Sequence, residues 1–190
     1  LASRVEIEID EEDGVLKSLH ALVSTSLIIG IPENSERTTL SGDEIHNAMI
    51  GYVMETGSPA HNIPARPFLV PGTEKAIPKM LPQVERATKA MLNGLRPEAL
   101  AALTRAGAIG VASVKTEMSS AAYAPLQPAT IAGRARARGE ARSRDEIKYL
   151  SLVAGGTPPS EAQAMAGIQP LINSGELRDA ITSSVNVGKL

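Results

Sequence analysis

At 190 residues and a formal charge of −2, the chain has the length of one domain, or of one domain with a long arm, and no global pull toward DNA or an anionic membrane. Apolar residues make up 43% and aromatics only 2%, so a core must be built from Ala, Leu, Ile, Val and Met, and an aromatic platform for stacking single-stranded nucleic acid is excluded. The absence of cysteine excludes a disulfide framework, thiol catalysis and cysteine-based zinc sites, and is compatible with a reducing cytoplasm.

The segment Val5-Glu6-Ile7-Glu8-Ile9-Asp10 alternates apolar and acidic residues, which predicts a strand with one wet face. Residues 1–14 hold one Arg against six carboxylates. They lack the apolar core of a signal peptide, and no later run approaches the ~18 apolar residues of a membrane span, so the expectation is a soluble chain. Leu16, Leu19, Leu22 and Val23 space a short helix over 15–23, and Leu27 to Pro32 reads as a buried strand stopped by proline. Glu33 to Gly42 is polar and reads as a loop. Ser41 or Asp43 is then expected to cap a helix at about 44–55, with Ile45, Met49, Tyr52 and Val53 on one face.

Gly57-Ser58-Pro59 ends that helix. Pro59, Pro64, Pro67 and Pro71 then demand an extended stretch up to Gly72. From Thr73, Ile77, Leu81, Val84, Met91 and Leu95 recur at helical spacing, with Pro78 and Pro82 predicting a late start or a bend. Asn93-Gly94 stops this helix and Pro97 suits the first turn of the next. Its buried side should carry Leu100, Leu103, Val111, Val114 and Met118, with Gly107 and Gly110 allowing close packing.

Residues 122–170 show no single period. They include the basic run Arg134 to Arg144 and the break Gly155-Gly-Thr-Pro-Pro159, and read as an insertion or arm with a short helix near 145–153. Residues 134–148 carry six basic and three acidic side chains. Asn173-Ser-Gly-Glu176 resembles a capping box before Leu177, Ala180 and Ile181, and Ser183 to Val187 reads as a closing strand. The fold class expected is α+β in a single domain, with a small antiparallel or mixed sheet packed against long helices, an extended proline-rich loop and an arm-like insertion.

Catalytic and cofactor motifs are missing from the sequence. His20, His46 and His61 have neither the i, i+4 spacing nor the carboxylate of a helical zinc site and read as surface or structural residues. There is no phosphate-binding glycine loop and no Gly-x-Ser-x-Gly elbow. The cluster Asp10-Glu11-Glu12-Asp13 reads as a solvated turn, with a cation site for a metal-dependent hydrolase as the weaker alternative. No cofactor, metal or catalytic residue is therefore assigned. The basic run is either a solvated arm or a phosphate-contacting segment of Arg134, Arg136, Arg138, Arg142 and Arg144. A strand would put Arg134, Arg136 and Arg138 on one face, whereas a helix would spread them.

The proline loop holds the only Phe of the chain, in Ile63-Pro-Ala-Arg-Pro-Phe-Leu69. Arg66 and Phe68 lie two apart, so in an extended segment they share a side. An aromatic and an arginine on a stiff segment have the composition of a protein–protein anchor. Arg66, Pro67, Phe68 and the nearby His61 are thus interface candidates. The alternative is that Phe68 plugs its own domain and Arg66 ties the loop down.

Three segments resemble bacteriophage tail-completion (virion morphogenesis) proteins. Ile50-Gly-Tyr-Val-Met-Glu-Thr-Gly-Ser-Pro59 with Ile63-Pro-Ala-Arg-Pro-Phe-Leu69 is similar to that family's helix ending in Glu-aromatic-Gly and its following Ile-Pro-x-Arg-Pro-Phe-Leu loop. Tyr123-Ala-Pro-Leu-Gln-Pro-Ala-Thr-Ile131 resembles its Leu-x-Pro-x-Thr segment, and Pro170-Leu-Ile-Asn-Ser-Gly-Glu-Leu-Arg-Asp-Ala-Ile181 its closing motif. Thr56 stands where the family has an aromatic, Asn173-Ser174 where it has Asp-Thr, and Ala180 where it has Ser; residues 133–169 have no counterpart. The resemblance implies a non-enzymatic virion protein at the neck of a long-tailed phage, made in the host cytoplasm. It implies a homo-oligomeric ring of six subunits around the DNA channel, meeting tail-tube and head–tail connector proteins. The basic segment would then face a neighbour or channel DNA. A tail-tube or baseplate-proximal assembly protein is the alternative within the virion, and a cell-side binding module a weaker one.

Overall fold

The computed structural model describes residues 9–38, 44–120, 122–137 and 144–186. The fold is α+β, and the chain divides into two compact units. One takes the described residues of 1–30, 73–113 and 182–190, the other those of 31–72 and 114–181.

The first unit is built on a two-stranded antiparallel sheet. Strand β1 (Ser26–Gly30) pairs with the closing strand β4 (Thr182–Asn186), Ser26 lying opposite Asn186 and Gly30 opposite Thr182. The sheet lies against helix α4 (Arg96–Ser120) at the two glycines expected to permit close packing. A Cβ on Gly107 would collide with Ser183, and one on Gly110 with the end of Ile29. Helices α1 (Ile9–Val23) and α3 (Leu69–Leu92) complete the unit around a core of Ala21, Ala87, Ala90, Met91, Ala99, Ala102 and Leu103.

That core corrects two expectations. Helix α1 already contains Ile9 and Asp10, so the end of the expected strand is helical; the rest of that strand lies outside the described residues. In α3 only Met91 of the apolar repeat joins the core: Ile77 and Leu81 are about half exposed, and Val84 is 36% exposed, while Ala76, Ala87 and Ala90 are buried. Methyl groups facing one another let the helices approach closely, so the small side chains fill the interior and the large ones on the adjoining flank stay in water. Leu95, just after α3, is exposed too.

In the second unit, β2 (Glu36–Thr38) and β3 (Glu44–His46) form a short antiparallel pair, and α2 (Asn47–Thr56) follows directly. The expected cap residues Ser41 and Asp43 lie outside the described residues, and His46 takes the N-cap position without a side-chain cap bond. The predicted face of α2 is also corrected. Met49 and Tyr52 are exposed, and the helix buries Asn47 and Gly51 instead, because Gly51 is where the Ile31 and Leu177 side chains press on it. After Gly57 a single 3-10 turn spans Pro59–His61, so the proline stretch is not extended throughout.

Residues 122–170, expected as an insertion or arm, carry three helices in this unit. They are α5 (Pro128–Ala137), α6 (Arg144–Ala154) and α7 (Pro159–Ala166), packed around Leu126, Ile131, Tyr149, Ala162 and Ala166. Helix α6 meets the short helix foreseen near 145–153. The last helix, α8 (Glu176–Asp179), begins after Gly175 at φ 92°, so no capping box forms there. A left-handed glycine supplies the turn that the side chains of Asn173 and Ser174 were expected to organise.

Helix α3 starts at Leu69, earlier than expected. Pro71 sits in its first turn, where the missing N–H costs nothing, and the helix runs on through Pro78 and Pro82. Gly72 is buried where a Cβ would lie 2.7 Å from the Val114 Cα. Gly72→Ala must therefore move backbone and is expected to destabilise the protein by about 1–3 kcal/mol despite the better helix propensity of alanine. Gly110→Ala meets the end of Ile29 and the Met80 sulfur, side-chain atoms that can shift, and is expected to cost less than Gly72→Ala. Urea denaturation of the two variants checks this order.

Candidate functional site

The segment that the sequence singled out forms a clamp inside the second unit. Gly57, at φ 76°, closes α2, and a Cβ there would lie 2.8 Å from the Ala65 nitrogen. Only glycine allows the returning strand so near. Ser58 and Ile63 exchange backbone hydrogen bonds of 2.8 and 3.0 Å, which turns the chain back toward α2. The Arg66 N–H then donates to the Met54 carbonyl at 2.7 Å. From here the side chains alternate as an extended chain requires, with Ala65 and Pro67 outward and Arg66 and Phe68 inward.

Phe68 is 1% exposed and Arg66 3% exposed. Of the two roles open to Phe68 in the sequence, the plug in its own unit is the one found, and the anchor presented to a neighbour is not. Arg66 ties the loop down. Its Nε donates to the Ala124 carbonyl at 2.9 Å and its Nη2 to the Pro125 carbonyl at 3.2 Å. Burial lowers its pKa, yet a guanidinium keeps its charge at neutral pH, so both bonds are charge-assisted. Pro67 and His61 are exposed. The His61 Nδ1 shares a 2.9 Å hydrogen bond with the Ser58 hydroxyl, a contact within the turn.

The residue that sequence reasoning missed is Glu55. Its Oε2 accepts the N–H groups of Phe68 at 2.7 Å and Leu69 at 2.8 Å, and its Oε1 that of Val70 at 3.0 Å. A helix opens with four N–H groups that have no partner within the helix. In α3 the carboxylate takes three and Pro71 removes the fourth. The first bond inside the helix follows, from the Gly72 N–H to the Phe68 carbonyl. The charge also lies at the positive end of the helix dipole. A signal was present in the sequence, since the helix opens with no Ser, Thr, Asp or Asn at the cap while an acid lies two residues before Gly57. Position alone did not link that acid to an amide thirteen residues on.

Other side chains fasten irregular backbone in the same way. The Gln163 amide on α7 makes a reciprocal pair with residue 126, accepting from the Leu126 N–H at 2.9 Å and donating to its carbonyl at 2.8 Å. Arg134 on α5 donates to the carbonyls of Pro170 and Ile172. Tyr123 donates to the Glu117 carbonyl at 3.0 Å. Its pKa is pushed up to about 12 by burial, with the Glu117 and Glu55 carboxylates adding to the effect.

The basic run is helical where it is described, so its arginines are spread rather than aligned. Arg134 is engaged internally, Arg136 and Arg144 are exposed, and Arg138 and Arg142 lie outside the described residues. His46 is exposed and its Nδ1 donates to the Glu33 carbonyl at 2.9 Å. Among the described residues, no three His, Asp or Glu side chains come together as a metal site, and no helix is long and apolar enough to cross a membrane. Comparison with protein-family models, with curated proteins and with solved structures gave no match.

Two outcomes follow from the clamp. Glu55→Ala strands three amides at once and is expected to cost about 2 kcal/mol or more, the upper end for a lost helix cap, and Arg66→Lys about 1–2 kcal/mol because an ammonium cannot span two carbonyls as a fork does. Denaturant titration measures both. For Tyr123, a folded pKa of about 12 against an ordinary 10.0 means its contribution is full below pH 10 and is lost as pH rises toward 12. Tyr123→Phe should therefore flatten the stability loss across that alkaline window relative to wild type.

Proposed function

We propose that the chain is a non-enzymatic structural protein of a long-tailed phage virion, a subunit that completes the tail and joins it to the head connector. The observation that carries this reading is where the three resembling segments lie. In sequence they are separated by tens of residues, and in the fold they meet in one unit. Arg66 of the first binds the carbonyls of Ala124 and Pro125 in the second. Gly51 of the first packs against Leu177 of the third. Arg134, just beyond the second, binds Pro170 and Ile172 of the third. The residues that give the resemblance its specificity are those that hold the unit together, which is what a shared fold would require of them.

The reading changes in one respect from that drawn on sequence. The loop Arg66-Pro67-Phe68 supports an assembly surface from within instead of forming it. Of the described arginines of the basic run, Arg136 and Arg144 are the exposed ones left to meet a neighbouring subunit or channel DNA.

Mass spectrometry of purified particles tests the proposal. The chain should be present at a fixed ratio to the tail tube, and its absence from particles able to infect would refute it. Variants separate support from surface. Phe68→Ala is expected to lose about 3–5 kcal/mol of stability and yield little folded protein. Arg136→Glu with Arg144→Glu should fold normally and lower the yield of joined particles.

A further inference from the structure

Helix α3 carries a second stripe, distinct from its aliphatic one. At about 100° per residue, Lys75, Lys79, Pro82, Arg86 and Lys89 fall within an arc of about 80°, and all five are exposed. No other residue between 75 and 89 enters that arc, so it holds four cations and a proline, with no carboxylate. From Lys75 to Lys89 the stripe runs about 21 Å. Helix α4 lies alongside. Its Arg105 Nε donates to the Gln83 Oε1 at 3.4 Å, and the exposed Ala101, Thr104 and Ala108 around it are too small to screen the charge. Residues 73–113 carry six basic and three acidic side chains, although the whole chain is at −2. Of the three acids, Glu74 and Glu85 border the aliphatic flank of α3 and Glu98 opens α4. Lys75 already takes part in an interaction within the protein, and Lys89 follows Glu85 by one turn. Lys79, Arg86 and Arg105 are therefore the cations to test.

We propose that this stripe takes the phosphate backbone of double-stranded nucleic acid, without regard to sequence. Charge complementarity calls for a polyanion, and three features choose among polyanions. A protein partner is held by an apolar or aromatic core within its interface, and the arc has neither; charge alone is how a phosphate backbone is gripped. A membrane surface would need the cations and the aliphatic flank to enter the headgroups together, and two glutamates stand at the border of that flank. A single strand would need aromatic side chains for its bases to stack on, and α3 has none. A duplex offers about one phosphate per 3.4 Å along each strand, about six over the length of the stripe. The site lies in the first unit, whereas the basic run Arg134 to Arg144 lies in the second. Nothing in the contact depends on the chain belonging to a virion.

Fluorescence anisotropy of a labelled duplex of about 20 base pairs, titrated with the full chain, tests this. Binding should have a Kd on the order of 10 μM at about 50 mM salt, and log K should fall against log salt with a slope of about −3. Affinity should thus drop about 40-fold between about 50 and 200 mM salt. Lys79→Gln with Arg86→Gln should remove about two from the slope and weaken binding about 10-fold or more, and Arg105→Gln should remove about one. These side chains are exposed, so circular dichroism should be unchanged. Arg136→Gln with Arg144→Gln, the same loss of charge in the second unit, should leave affinity within about twofold. No binding at low salt, or an equal loss from the two double variants, overturns the proposal. So does a stripe that takes poly-glutamate but not the duplex, because it would then belong to an acidic protein. Infectious particles that lack the chain would refute the virion reading and leave the duplex result standing.

Discussion

The second unit depends on one carboxylate. Helix α3 must begin immediately after a proline-stiffened segment that offers no polar side chain at the cap position. Its first amides would otherwise be left without acceptors next to a buried phenylalanine. Glu55, from the end of the preceding helix, accepts all three that exist. In doing so it ties the end of α2 to the first turn of α3, and therefore sets the path of the loop between them. Gly57 has to be a glycine because that path brings the returning chain against the helix end. Arg66 and Phe68 turn inward because the segment that reaches the carboxylate is extended and its side chains alternate.

A general constraint lies behind this. Prolines remove donors and disrupt regular pairing, so the carbonyls and amides of residues 62–68, 122–127 and 169–175 cannot all satisfy one another. Long polar side chains do so instead: Arg66 for Ala124 and Pro125, Gln163 for Leu126, Arg134 for Pro170 and Ile172. Arginine and glutamine suit this work because each presents two hydrogen-bonding atoms in a fixed plane. A unit held in this way keeps its irregular segments in place without a large sheet.

Regular elements were largely legible in the sequence. The strand at 26–30, its late partner, the glycine-lined helix α4 and the helix near 145–153 each follow from a local signal, and the structure contains them. Reading which face is buried succeeded for α4, where Val114 and Met118 are fully buried, and failed for α3. Periodicity identifies the apolar stripe of a helix but not what covers it. In α3 the alanines take the interior together with Met91, so the rest of the stripe that looked like core is surface. The inward turn of Arg66 and Phe68 was legible from alternation, though the choice between plug and anchor was not. The role of Glu55 was not legible, because the missing cap of α3 shows that an acceptor is needed but not that it comes from an acid thirteen residues away on another helix.

Hydrogen exchange at the amides of Phe68, Leu69 and Val70 tests the clamp most directly. All three groups should be protected in the native protein, at a level near that of the interior of α3, and all three should lose protection together in Glu55→Gln while the middle of the helix keeps most of its own. Rapid exchange at these amides in the wild-type protein, or protection untouched by the substitution, would contradict the claim that this carboxylate organises the unit.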